Sequence, residues 1–266
     1  MGINVCLRTA VRAMVEMKSK IQKRIAPVCA VFATGLRDIF GENLAAVYVY
    51  GAAVFPEAPT QLGDIDLHVI LHRPPSAAQR REVRALHREL AKRFPGVGDD
   101  LDVWYITTQD ARRRRAPRHQ LDLAARDGSW ALHRAHWLAG RYALLYGSPP
   151  EEFCVPPSWR ELERALRDEF RFVESQIDNG RAQAYCILNL SRILYSLRRR
   201  DVVVSKEAAA QWALRQLPGR YRAAVRAARR VYHGEGTARD RATLREDAKR
   251  LLSYARQRMN GLPDDN

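Results

Sequence analysis

The most constraining stretch of the chain is Tyr48-Val49-Tyr50-Gly51-Ala52, a loop, and then Gly63-Asp64-Ile65-Asp66-Leu67-His68-Val69-Ile70-Leu71. It reads as strand, glycine turn, loop and second strand, with Asp64 and Asp66 where the second strand begins. Side chains alternate sides along a strand, so positions i and i+2 bring both carboxylates onto one face. Ile65, Leu67, Val69 and Leu71 then form the opposite, apolar face, and His68 joins the aspartates. Two carboxylates that close raise each other's pKa unless a cation sits between them. Hard divalent ions such as Mg²⁺ take oxygen ligands and are often held by one or two carboxylates plus substrate phosphates. A third acid, Asp102, lies in another strand-like run, Leu101–Ile106. Acids on neighbouring strands beside a glycine turn point to metal-assisted phosphoryl or nucleotidyl transfer. Taken without context, most Asp-x-Asp pairs are solvated strand ends or turn caps.

Around this centre the pattern predicts a helix over 20–40, stopping near Gly41, and strands at 45–50, 64–71 and 102–106. A helix over 75–94 carries Val83, Leu86, Leu90 and Phe94 at helical spacing. Arg112–Arg115 form a basic run in a proline-containing connection, read as a solvated loop. Residues 121–145 read as helical, and Gly147-Ser148-Pro149-Pro150 as a linker. Beyond it only helices are expected. Ser158 caps the first of them, a helix with Leu162, Leu166, Phe170, Val173 and Ile177 on one face. The next, 184–197, is apolar almost all round, as a central bundle helix should be. Ser205 caps a third, which stops at Pro218-Gly219, and two more follow over 220–232 and 239–259. The expected fold is therefore α/β: a domain with a small mixed sheet over 1–147, followed by an all-α bundle over 148–266.

No apolar run in the 266 residues approaches the ~20 needed to cross a bilayer. The first residues, interrupted by Arg8 and Arg12, lack a cleavable signal pattern, so a cytoplasmic location is expected. Cys6, Cys29, Cys154 and Cys186 are scattered in apolar surroundings, as reduced core thiols are. The net charge of +15 is shared by both halves of the chain. Such a field attracts polyanions, nucleotides and nucleic acid included, and repels polycations.

One resemblance extends over most of the chain from about residue 20. The glycine turn, the Asp-x-Asp strand, the third acid and the helical second half resemble the nucleotidyltransferase superfamily. The aminoglycoside adenylyltransferases that modify streptomycin and spectinomycin are the nearest in pattern. The most specific similarity is Leu190-Ser191-Arg192-Ile193-Leu194-Tyr195-Ser196, then Ser205-Lys206-Glu207-Ala208-Ala209-Ala210-Gln211-Trp212-Ala213, then Leu217-Pro218 and Tyr221. The resemblance implies that Asp64 and Asp66 hold Mg²⁺ against the triphosphate of ATP. Asp102 then takes a proton from the acceptor hydroxyl, and AMP is transferred with release of pyrophosphate. Gly51 and Ala52 would meet phosphate through the turn. Arg192 and Lys206 would reach phosphate, Tyr232 would lie near the adenine, and Trp130 and Asp178 would touch the acceptor. The helical domain would close the cleft that holds nucleotide and acceptor. Residue by residue, alternatives stand beside these roles. Arg192, on an otherwise apolar helix, pairs either with phosphate or within the bundle. Lys206 can be an exposed first-turn lysine, and Tyr232 and Trp130 can be packing residues.

The chain also departs from that family pattern. Ala52 and Gly63 replace serines, Asp102 replaces a glutamate, and Ala182 replaces an acid that contacts streptomycin. Together with the positive charge, these departures leave open nucleotidyl transfer to RNA or another anionic macromolecule, and a degenerate nucleotide-binding module.

Overall fold

The computed structural model describes residues 23–57 and 64–261, so Cys6, Gly63 and the start of the expected first helix lie outside the described residues. The chain divides into two compact units that meet in sequence at Pro156–Pro157.

The first unit is built on a four-stranded mixed sheet in the order β3-β2-β1-β4. Its strands are β1 (Leu44–Val49), β2 (Ile65–Leu71), β3 (Leu101–Thr107) and β4 (Ala143–Gly147). β1 runs antiparallel to β2 and β4, while β2 and β3 are parallel. The parallel pair needs a crossover, and α2 (Ala77–Arg93) supplies it. A capping box at Ser76 and Gln79 starts that helix. One face of the sheet (Val47, Val49, Ile65, Leu67, Val69, Leu71, Val103) is buried together with Phe32 and Leu36 of α1 (Ala26–Phe40) and Val83 and Leu90 of α2. The alternation in β2 thus buries the four apolar residues expected to face the core. On the opposite face Tyr48, Tyr50, Ile70 and Ile106 pack with Trp130 and Trp137.

The helix expected over 121–145 is not formed as one piece. A four-residue helix, α3 (Thr108–Ala111), follows β3, and α4 covers only Trp130–Leu138. Asp127 opens α4 with a turn, its Oδ1 accepting from the Ser129 amide at 3.1 Å. Gly140, at φ +74°, takes the chain out of the helix. The Ala-Leu-Leu-Tyr segment that follows adds to β1 as an edge strand through its pairing in the folded chain. Gly147, read as the start of a linker, is the last residue of that strand.

The second unit is all-helical: α5 (Trp159–Gln176), α6 (Gln183–Arg199), α7 (Lys206–Gln216), α8 (Gly219–Tyr232) and α9 (Ala238–Asn260). Both expected serine caps are present. Ser158 forms a capping box with Glu161, and Ser205 Oγ accepts from the Ala208 amide at 3.0 Å. Helix α6 packs against each of the other four, which is why it is apolar almost all round. Among the described residues, no helix is long and apolar enough to cross a membrane. Cys29, Cys154 and Cys186 are buried free thiols.

Candidate active site

Parallel pairing of β2 with β3 makes Asp66 and Asp102 direct Cα partners. The Tyr50 amide donates to the Asp66 carbonyl at 3.0 Å, which brings the turn after β1 onto the same spot. Gly51 follows at φ +66°, a conformation that a side chain resists. Space excludes a side chain as well, because a Cβ on Gly51 would lie 1.7 Å from Asp66 Oδ2. Ala52 sits half-buried in the short 3₁₀ turn Gly51–Val54. Asp64, just ahead of β2, and Asp102 are exposed, whereas Asp66 is half-buried.

The electrostatics agree with the geometry. The Asp102 carboxyl is raised above the ordinary range, first by desolvation and then by the charge of Asp64. The Tyr50 hydroxyl is pushed far up by burial, with Asp66, Asp127, Asp102 and Asp64 adding to the shift. Four carboxylates therefore act on one buried phenol.

Behind the exposed acids lies a buried network that the sequence did not single out. Asp127 Oδ2 accepts from His133 Nδ1 at 2.9 Å and lies 3.3 Å from His68 Nε2. Burial alone would raise the Asp127 carboxyl, but the two imidazoles outweigh it and hold that carboxyl well below the usual range. Burial drives His68 down to about 4, so this imidazole is neutral at pH 7. Tyr50, His68, His133 and Trp137 pack ring against ring around the network, tilted for Tyr50–His68 and edge to face for the others, with ring centroids 4.7–6.0 Å apart. Among the described residues, His68, Asp127 and His133 form a group of three whose ligand atoms all lie within 4.8 Å of one another. Trp130 belongs to this interior. It is 1% exposed, packs on His68 and Trp137, and donates from Nε1 to the Arg113 carbonyl at 3.1 Å.

In the helical unit, Lys206 and Tyr232 come together. The Lys206 ammonium stands 4.6 Å from the ring centre of Tyr185 and 5.6 Å from that of Tyr232. Arg192 is half-buried on α6 and donates from Nη1 to Asn189 Oδ1 at 3.3 Å. Glu207, next to Lys206, is buried and accepts from Arg229, Gln211 and His233. Asp178 is exposed and pairs with Lys249 at 2.7 Å, a surface ion pair that adds little stability. Ala182 occupies the N-cap of α6 and offers no side-chain hydrogen bond.

Residues 155–258 match the family model described as the aminoglycoside adenylyltransferase C-terminal domain. An aminoglycoside (3'') (9) adenylyltransferase of Rhizobium radiobacter is 34% identical over 91 residues, which is 34% of this chain and 34% of the relative. The enzyme of the same description from Escherichia coli is 32% identical over 103 residues, 39% of this chain and 38% of the relative. The chain resembles the aminoglycoside adenylyltransferases. With these curated relatives the alignment spans little more than a third of their length. The fold of such proteins extends further: a spectinomycin adenyltransferase, AAD(9) from Enterococcus faecialis, solved with ATP and spectinomycin, superposes with a TM-score of 0.66. That match covers 85% of this chain and 96% of the other at 16% identity, which establishes a shared fold.

Proposed function

We propose that the chain is a nucleotidyltransferase that moves AMP from ATP to a hydroxyl of an aminoglycoside-type small molecule and releases pyrophosphate. The observation that carries this reading is the registered pair Asp66–Asp102 with Gly51 pressed onto Asp66. That arrangement keeps one face of the strand ends free of bulk and lined with carboxylate.

The donor set fits magnesium. Carboxylate oxygens are hard ligands, and the charge of Asp64 opposes ionisation of Asp102, which a cation nearby relieves. Asp64 and Asp66 are the residues that would hold it. When bound, magnesium neutralises charge on the triphosphate. Asp102 accepts the proton of the acceptor hydroxyl as its oxygen bonds to the α-phosphorus. The bond from that phosphorus to the bridging oxygen breaks, and pyrophosphate leaves with the electron pair. General-base assistance of this kind contributes about 10²–10⁴-fold. Gly51 and Ala52 offer backbone to the phosphates, Arg192 and Lys206 offer cations, and Tyr232 lies beside Lys206, where a base can stack.

The relatives supply the acceptor class. The curated ones are named for aminoglycosides, and the structural neighbour was solved with spectinomycin. The missing acid at Ala182 and the charge of +15 favour an acceptor with few amines over a polycation. Spectinomycin is accordingly the first acceptor to test, ahead of streptomycin. The deciding experiment follows pyrophosphate release from ATP and magnesium with each drug in turn. Release that depends on drug supports the reading, and no turnover with either removes the acceptor class.

A further inference from the structure

Two buried donors on one helix lack acceptors. Asn189 of α6 is 2% exposed, and its Nδ2 makes no hydrogen bond among the described residues. One turn on, Arg192 Nε is also buried and also without an acceptor. The two side chains are joined to each other, since Arg192 Nη1 donates to Asn189 Oδ1 at 3.3 Å. Buried polar groups are nearly always satisfied, so two unmet donors on linked side chains require an explanation. Their neighbour Ser191 shows the ordinary solution, returning its hydroxyl to the Ile187 carbonyl at 2.9 Å. Burying an amide whose N–H is left unmet is costly, so packing alone would be served better by leucine at 189.

An acceptor that suits a guanidinium N–H and an amide N–H together is an anionic oxygen. We propose that Asn189 is a positioning residue for Arg192, its Oδ1 fixing the guanidinium while its Nδ2 and Arg192 Nε donate to a phosphate oxygen of the nucleoside triphosphate. This inference rests on the nucleotide-binding reading above. Asn189 sets the direction of the arginine fork, and the fork sets where the triphosphate lies.

The test is calorimetric binding of ATP with magnesium to the full chain, with circular dichroism as the folding control. Asn189→Leu keeps the volume but removes both polar atoms, and ATP affinity is expected to fall about tenfold, the scale of one hydrogen bond to a charged group. In the Arg192→Ala background the same change is expected to cost distinctly less, because only the direct bond from Nδ2 remains to be lost. Asn189→Asp is the second variant, should leucine prevent folding. It keeps an oxygen for Arg192 but places a carboxylate where a donor stood, so affinity is expected to fall further still. In steady state both variants should raise the KM for ATP and leave the KM for the acceptor unchanged. Wild-type affinity in both variants overturns the proposal, as does an equal loss with and without Arg192. If the wild type binds no ATP, the nucleotide reading fails first and takes this inference with it.

Discussion

Gly51 and Asp66 occupy one another's space: the glycine Cα is seated so close to the carboxylate that a single added carbon would fall 1.7 Å from Oδ2. The turn also runs at φ +66°, where an L side chain costs about 1–2 kcal/mol. Gly51→Ala therefore has to displace the aspartate as well as strain the backbone. Drug-dependent pyrophosphate release should fall to background while the far-ultraviolet circular dichroism spectrum is retained. Gly96→Ala is the control, because Gly96 has a similar φ of +72° but nothing within 4 Å of the added carbon. That variant should lose a few degrees of melting temperature and keep its activity. Equal activity in the two variants would remove the steric argument for the turn.

Removing the Asp102 carboxylate should act with opposite signs on activity and on stability. Asp102→Asn removes the proposed base and should lower turnover by about 10²–10⁴-fold. It also removes a carboxyl whose ionisation is opposed by partial desolvation and by Asp64. Without a metal, the variant should therefore melt no lower than the wild type, a trade of stability against function common at active sites. Thermal melts in EDTA set beside pyrophosphate release measure both quantities. A large drop in melting temperature would make Asp102 a structural residue.

The parts of this centre visible in the sequence are those with a local signature. Period-two alternation marked β2, the glycine marked the turn, and serines at 158 and 205 marked helix starts with their caps. Asp127 and His133 had no such mark. They fell inside an apolar-rich run that read as one helix, although Gly128 and Gly140 both interrupt it. The missed strand β4 depends on pairing that only the folded chain creates. Tyr48 and Ser148, 100 residues apart, meet through a hydrogen bond from the phenol to a carbonyl. His68 was placed on the correct face, but its burial depended on Trp130 and Trp137, whose position in space the sequence does not encode locally.

Trp130 offers a direct test of core against contact residue. The resemblance places it at the acceptor, while the structure packs it at 1% exposure with its N–H satisfied by Arg113. Trp130→Ala should cost about 3–5 kcal/mol in urea unfolding, the usual range for deleting a large buried ring. Trp130→Phe keeps most of the packing and loses one hydrogen bond, about 1 kcal/mol. Its KM for the acceptor should match that of the wild type. A raised KM at unchanged stability would restore the acceptor role.

Glu207 should give the helical unit a defined sensitivity to acid. Its carboxylate is 7% exposed and accepts from Arg229 Nε at 3.0 Å, from a second guanidinium nitrogen of the same arginine, from Gln211 at 2.8 Å and from His233 at 3.2 Å. Burial opposes ionisation, but these donors overcome it and bring the carboxyl down from 4.5 to about 2. In a folded state with a depressed carboxyl pKa, the stabilisation is complete above the unfolded value. It is lost as pH falls from 4.5 towards 2. Glu207→Gln leaves Arg229 without its charged partner and should cost about 1–3 kcal/mol at pH 7. The urea midpoints of wild type and variant should then converge as pH is lowered through that window, because the wild type gives up what the variant already lacks. A gap that stays constant from pH 7 to pH 3 would assign the stabilisation to packing around α7 and not to the ionised Glu207–Arg229 pair.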